Sequence, residues 1–353
     1  MKRFLLPLML AGTMAIVAAC DGSTGKDNPH RPDPTTTGGG GGGGTTTPPT
    51  TGRTMPPGTE NPSANSSIIR YEPVNGAEGS GIAESYAYNP TDDTFSVDNL
   101  PFDGDNVYQR MDLTGTALEN SLGPMTPFRV YENENFVNDP VNGLVATQFQ
   151  HKAIHAVSAS GQSEFAIVRT GAYADYGFGG FMYTRHGRVT LPASGFARYT
   201  GGYAGLRDFN GTDGIEFVTG TADLTIDFND FNDGYAVDGQ IYNRRIFDAN
   251  GNDITASVVS ALESEYGVPF GQLPVIQFDI SNALDENGEM LGSVASRFVN
   301  SEGVVATLES GDFYGIVSGD NADEVVGIIV VTSEDPRGIG VTVRETGGFI
   351  VTR

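Results

Sequence analysis

The chain has 353 residues, 44 acidic against 20 basic side chains for a formal net charge of −24 at pH 7, and a single cysteine. That length supplies one large domain or two modest ones with real cores. The charge excludes nucleic acid and anionic membrane surfaces as partners, because neutralising phosphates takes clustered Lys and Arg, and no basic arm or stripe occurs. Its plain reading is solubility in a salty medium.

Residues 1–19 open on Lys2 and Arg3, continue through an apolar run from Phe4 to Val17, and end on Ala18 and Ala19. This is the pattern of an export signal, and the run is too short to predict a permanent transmembrane helix. Val17-Ala18-Ala19-Cys20 is similar to a bacterial lipobox, which predicts cleavage before Cys20 and acylation of its thiol. The alternative is an ordinary signal followed by an unmodified cysteine. With acylation no free thiol and no disulfide remain, so the fold depends on its core. The predicted location is the cell envelope, at the outer membrane or the cell surface, with Asp21 leaving inner-membrane retention open. Residues 20–66 carry Pro-Thr runs and the glycine tract Gly38 to Gly44 with almost no apolar residues, so they read as a disordered linker. A Gly-rich coil of this length reaches roughly 35–40 Å. Its Thr and Pro clusters also fit a glycosylated stalk.

Residues 67–192 contain short apolar runs at Ile68 to Tyr71, Thr94 to Val97, Phe128 to Tyr131, Leu144 to Phe149, Phe165 to Thr170 and Tyr176 to Thr184. Turn residues separate them, which predicts a β-rich unit with long loops. His151 and His155 share one face in either a helix or a strand, but two ligands do not make a zinc site, and paired surface histidines are the plainer reading.

Residues 193–353 read as a run of strands. Ala222, Leu224, Ile226 and Phe228 alternate with Thr221, Asp223, Thr225 and Asp227, the period of a strand buried on one side. Gly195 to Leu206 precedes it, Asn232 to Gly234 supplies a turn, and Val237 to Tyr242 returns. Ile254, Val258, Leu262 and Tyr266 then predict a short helix over Asp253 to Gly267, with Asp253 as N-cap. Val275 to Ile280, Gly292 to Phe298, Val304 to Leu308, Asp312 to Val317, Val325 to Thr332 and Gly348 to Val351 add enough strands to close a small barrel of about eight, which leaves no exposed edges. Membrane-spanning strands would need lipid-facing bands and aromatic girdles, and the chain has no Trp.

Three stretches carry a resemblance to a known family: Tyr199-Thr200-Gly201-Gly202-Tyr203-Ala204-Gly205, Gly220 to Phe228, and Val237-Asp238-Gly239-Gln240-Ile241. Gly311-Asp312-Phe313-Tyr314-Gly315 and Ala322 to Gly327 follow in the same order. Together they resemble the barrel domain of bacterial transferrin-binding protein B and the factor H-binding surface lipoproteins, over roughly the last 160 residues, in a single-lobe form. The resemblance implies a mainly β fold with a β-rich handle-like domain at 67–192 and an eight-stranded antiparallel β-barrel at 193–353. It also implies capture of a soluble protein or small solute, iron acquisition with an outer-membrane transporter being one version. A structural or assembly lipoprotein that binds envelope partners is the alternative.

No catalytic constellation stands out: there is no G-x-S-x-G elbow, P-loop or HExxH, and Gly201 to Gly205 lies inside a strand pattern. No enzyme activity, metal or cofactor is expected. Asp248 to Asp253 is similar to the start of a calcium loop but lacks its distal Glu, so a turn into the helix is the simpler reading. Asp227, Asp230 and Asp233 read likewise as an Asp-rich turn. Tyr176, Phe178, Phe181 and Tyr183, with Tyr173 and Met182 among glycines, are the candidate ligand-binding residues, as a flexible aromatic loop; alternating members would also serve as core. Arg185, Arg188, Arg198 and Arg207 flank the domain junction and suit either an acidic ligand or scattered salt bridges.

Overall fold

The computed structural model describes residues 54–74, 81–100, 107–123, 127–133, 138, 140–143, 150–171, 175–229, 235–279 and 283–353. The fold is mainly β, built from two sheets that change over between Arg185 and Phe196.

The first sheet has eight strands, β1 (Ile68–Tyr71), β2 (Tyr86–Asn89), β3 (Thr94–Val97), β4 (Val107–Arg110), β5 (Phe128–Asn133), β6 (His151–Val157), β7 (Ser163–Thr170) and β8 (Gly179–Arg185), in the order β1-β8-β7-β6-β5-β4-β3-β2. It curls into a half-barrel. Phe95, Val97, Tyr108, Tyr131, Ala153, Ala166 and Val168 pack on its concave side. Strand β6 escapes prediction because both of its faces are buried, so His151 to Val157 shows no alternation. The expected run Leu144 to Phe149 lies outside the described residues. A short helix, α1 (Ala117–Leu122), is capped by Thr116, whose hydroxyl accepts from the Glu119 N–H.

Residues 54–66 correct the predicted linker boundary, because they are held against β1. The Tyr71 N–H donates to the Pro57 carbonyl at 2.9 Å, the Thr59 N–H to Ile69 at 3.0 Å, and the Val189 N–H to Ala64 at 2.7 Å. Arg70 adds bonds from Nη1 to the carbonyls of Pro56 and Thr59. Backbone pairing orders this segment where its side chains predict none.

The second sheet closes on itself. Strands β9 (Phe196–Asn210), β10 (Ile215–Asp227), β11 (Val237–Phe247), β12 (Ile276–Phe278), β14 (Glu289–Val299), β15 (Val305–Ser318), β16 (Glu324–Glu334) and β17 (Thr342–Thr352) form an antiparallel barrel, sealed by pairing of β12 with β14, while the two-residue β13 (Ala283–Leu284) leans on β14. The expected break between Val304–Leu308 and Asp312–Val317 does not exist: β15 runs through Gly311. A Cβ there would stand 1.9 Å from the Val330 carbonyl, so the glycine permits close strand approach within the ladder. The expected turn at Asn232 to Gly234 lies outside the described residues. Helix α2 (Thr255–Tyr266) follows β11 and ends on Gly267 at φ 67°, as expected; its N-cap is Ile254, and Asp253 accepts from the Thr255 N–H instead.

The barrel interior is filled by its own side chains. Tyr199, Leu224, Ile226, Phe278, Phe313 and Phe349 occupy it together with Val258 and Leu262 of α2. Nearer the α2 end the filling becomes ionic: Arg244 is bound to Glu309 and, at 2.6 Å, to Glu345, which accepts from the Tyr203 hydroxyl at 2.8 Å. These charges are buried and paired, which offsets part of their desolvation.

The convex face of the half-barrel packs on the barrel's outer wall through Phe128, Ile154, Phe165, Ile167 and Phe181 against Ala204, Leu206, Tyr314, Ile328 and Ile350. Ion pairs frame this interface: Arg70 with Glu289 at 2.6 Å, Arg169 with Glu72 at 2.7 Å, and Arg344 with Asp208.

Candidate functional site

With the interior occupied, a concave surface open to a ligand lies on the outer wall, at the seam where β11 meets the short β12. Pro274 carries no N–H, so pairing starts only at Ile276 and β12 is three residues long. Strand β11 meets β12 at only Gln240↔Gln277 and Ile241↔Ile276. Beside this seam opens a groove of about 850 Å³, lined by Arg198, Asp223, Asp238, Gln240, Gln277 and Arg297 among others.

Strand register puts these side chains in rows. Arg198, Thr225 and Asp238 face one another across β9, β10 and β11, and Thr200, Asp223, Gln240 and Gln277 form the adjacent row, reaching β12. Each arginine is steadied from below by an acid. Arg198 Nη2 donates to Asp223 Oδ2 at 3.1 Å, and Asp223, largely buried, also accepts from the Thr200 hydroxyl. On the opposite flank Arg297 Nη2 donates to Asp279 Oδ1 at 2.8 Å. The result is a polar trough with a guanidinium on each flank, the side-chain amides of Gln240 and Gln277 between them, and the Asp238 carboxylate at one side. It suits hydrogen bonding to an extended, carboxylate-bearing segment.

Of the aromatic residues expected to bind ligand, Phe181 and Tyr183 belong to the core between the two sheets. Phe181 and Tyr183 are buried in β8, with Phe181 stacked on Tyr314 of the barrel at 6.3 Å between centroids. Tyr176 is half-buried, donates its hydroxyl to Thr342 Oγ1 at 2.7 Å and lies under the Arg344 guanidinium. Phe178 is half-buried against the half-barrel core. Phe181 and Tyr183 are packing, because both faces of β8 are buried, whereas Tyr176 and Phe178 precede the strand and stay partly exposed. Tyr173 and Cys20 lie outside the described residues.

Of the junction arginines, Arg198 alone lines the groove. Arg185 is buried among carbonyls, Arg188 pairs with Asp320 at 2.7 Å on the surface, and Arg207 pairs with Glu216 in the barrel. The histidines are not surface residues: His151 and His155 are buried on the concave side, where Phe95 stacks on His155. Glu164 joins His155 and His186, accepting at 2.8 and 2.7 Å. Burial opposes its ionisation, but the two imidazole hydrogen bonds outweigh it and hold the carboxyl at about 2. The same bond raises His186 above its ordinary value. Asp248 accepts from the N–H groups of Asn250 and Asn252, a tight turn into α2. Among the described residues, no group of three or more His, Cys, Asp or Glu is placed to hold a metal ion.

The groove residues Gln240, Gln277, Asp279 and Arg297 escaped sequence reading. They sit on separate strands, and only the barrel register collects them.

A scan of protein families finds no match to this sequence, and neither does a search of curated proteins. Solved structures of transferrin-binding protein B show a distant structural likeness. A variant from Haemophilus parasuis Hp5 is 11% identical over 77% of this chain and 46% of that one, with a TM-score of 0.34. The isotype 1 protein from serogroup B Neisseria meningitidis is 14% identical over 82% of this chain and 56% of that one, at 0.30. A variant from Actinobacillus pleuropneumoniae H49 is 11% identical over 55% of this chain and 79% of that one, at 0.27. The chain spans about half the length of the first two. Likeness at these values transfers no ligand and no partner.

Proposed function

We propose that the protein is a lipid-anchored binding protein of the cell envelope, which captures a soluble protein or small solute on the outer wall of its barrel. The observation that carries this reading is the pairing of a filled barrel interior with the polar groove at the β11–β12 seam. A filled barrel cannot enclose a ligand, whereas the groove offers exposed, acid-steadied guanidinium groups and, in a fixed row, the amide side chains of Gln240 and Gln277, which have no side-chain partner among the described residues. The signal sequence and lipobox-like Cys20 support anchoring at the outer membrane or cell surface, and the motif order over the last part of the chain supports a binding role. Within that role, an iron-related ligand passed to an outer-membrane transporter is one version the resemblance implies, and binding of a soluble protein is the other. The chemistry of binding is non-catalytic on this reading.

The test is retention on immobilised protein. Wild type and the double variant R198E/R297E are washed with the growth medium of the parent cells, and retained species are compared. A species held by wild type and released by the variant supports the groove. Equal retention by both removes it. Induction of the protein on iron removal supports the iron-related version, and unchanged expression rules that version out while leaving the groove standing.

A further inference from the structure

The barrel end that carries α2 presents a second surface, which adjoins the groove only along β14 at Arg297. Strands β14 and β16 both run toward this end, so the β14–β15 and β16–β17 hairpins project from it alongside α2. Val299 and Val305, directly paired, with Val304 beside them, are each more than half exposed, and Ile339 at the tip of the other hairpin is fully exposed. Behind them lies an aromatic cluster: Phe298 is 4.7 Å from Tyr266 and 5.2 Å from Phe270 between ring centroids. Tyr266 joins the two hairpins, since it also lines, with Ile339 and Glu334, a hollow of about 260 Å³. It packs on Phe298 from one face, while Val299 and Val305, the next pair along, point out on the other.

The rim of this patch is acidic. Glu265, Glu302 and Glu334 are exposed, and none makes an ion pair among the described residues, whereas the neighbouring Arg297 and Arg337 are paired with Asp279 and with Glu216 and Asp335. Charge decides between occupants. A second copy would bring the same glutamates against these, in a molecule whose net charge is −24. An anionic bilayer is repelled for the same reason. Residues 21–53 hold no Ala, Val, Ile, Leu, Met, Phe or Tyr, so the chain's own leading segment has nothing to place on the patch.

We propose that this end is a docking surface for a partner protein whose contact face is apolar at its centre and ringed by Lys and Arg. The tips insert into the apolar centre while the three glutamates meet the basic ring, a layout of dry core and charged rim. This surface adjoins the groove at Arg297 of β14, two residues before Val299, but the variants that test it change no groove residue, so failure here and failure of ligand capture in the groove are distinguishable.

The test uses a helical amphipathic peptide of Leu and Lys, its Leu/Glu counterpart and phosphatidylcholine vesicles as probes, titrated calorimetrically into the full chain. Two variants accompany it, V304S/V305S/I339S and E265K/E302K/E334K, both confined to exposed positions. The expected result is binding of the Leu/Lys peptide, weakened about tenfold or more in the serine variant, and transfer of preference to the Leu/Glu peptide in the lysine variant. Equal binding of the Leu/Lys peptide by wild type and serine variant would overturn the proposal, because it would reduce the effect to diffuse charge. So would absence of any preference for Leu/Lys over Leu/Glu, binding to the vesicles, or a dimer in solution that the serine variant abolishes.

Discussion

Arg185 is fully buried, yet no carboxylate pairs with it among the described residues. Its Nη1 donates to the carbonyls of Asn287 and Val317 and its Nη2 to those of Ser63 and Ser66, so one guanidinium ties the leading segment, the half-barrel and the barrel together. Replacing it with Met removes all four of these charge-assisted bonds at a buried place, although the Ser63 carbonyl keeps donors in the Ser66 N–H and hydroxyl. R185M is expected to cost about 3 kcal/mol or more in urea unfolding, with R185K losing less because it keeps the charge and some of the donors. Glu164 and His186 give a pH-dependent counterpart. The Glu164 carboxyl lies at about 2, below its ordinary value, so its contribution is present above the ordinary range and lost as pH falls toward 2. His186 is raised, so its contribution is present at pH below its ordinary value and lost as pH rises through the raised one. The stability gap between wild type and H186A, below about 1 kcal/mol for so exposed a pair, should therefore be widest near pH 5 and close by pH 9, around the ordinary pKa of about 6.5. A gap that grows with pH contradicts this sign. None of these roles was legible in the sequence: Arg185 was one basic residue among four near a junction, and its partners are backbone atoms of distant segments.

Glycines decide how the elements meet. Two of them on the barrel's outer wall receive aromatic rings of the half-barrel: a Cβ at Gly202 would stand 2.5 Å from Phe128 Cε2, and one at Gly348 would stand 2.4 Å from Phe165 Cε2. Inside the barrel, a Cβ at Gly347 would stand 2.1 Å from the Tyr203 ring. G348A is expected to destabilise by about 1–3 kcal/mol through overpacking, and F165A by about 3–5 kcal/mol through the void it leaves. Because the two changes meet at one contact, the F165A/G348A pair should lose less than the sum of the singles, as a double-mutant cycle would measure. Strict additivity would show that the ring does not seat on this glycine. At this scale the sequence was readable in part. Alternation located β10 and the 3.6-residue spacing located α2, but Gly311 of β15 looked like a break because its value lies in a neighbouring strand. The half-buried pattern also vanished in β6, whose two faces are covered by different layers.

At the scale of the whole molecule, the half-barrel and the barrel share an apolar interface framed by buried ion pairs, so they should unfold in a single cooperative transition, with equal calorimetric and van't Hoff enthalpies. The order of strands along the barrel was legible from alternation in β10 and from apolar runs in β16 and β17, which are buried on both faces; the groove was not, because its residues come from separate strands that only barrel closure brings side by side. On the proposed function, the folded residues stand outside the cell on a lipid-anchored, Gly/Thr/Pro-rich linker. Protease treatment of intact cells tests that claim most directly. Release of a folded fragment that begins near residue 54, with the cells unbroken, is the predicted result. Full protection until the outer envelope is disrupted would contradict display at the surface and move the search for partners into the periplasm.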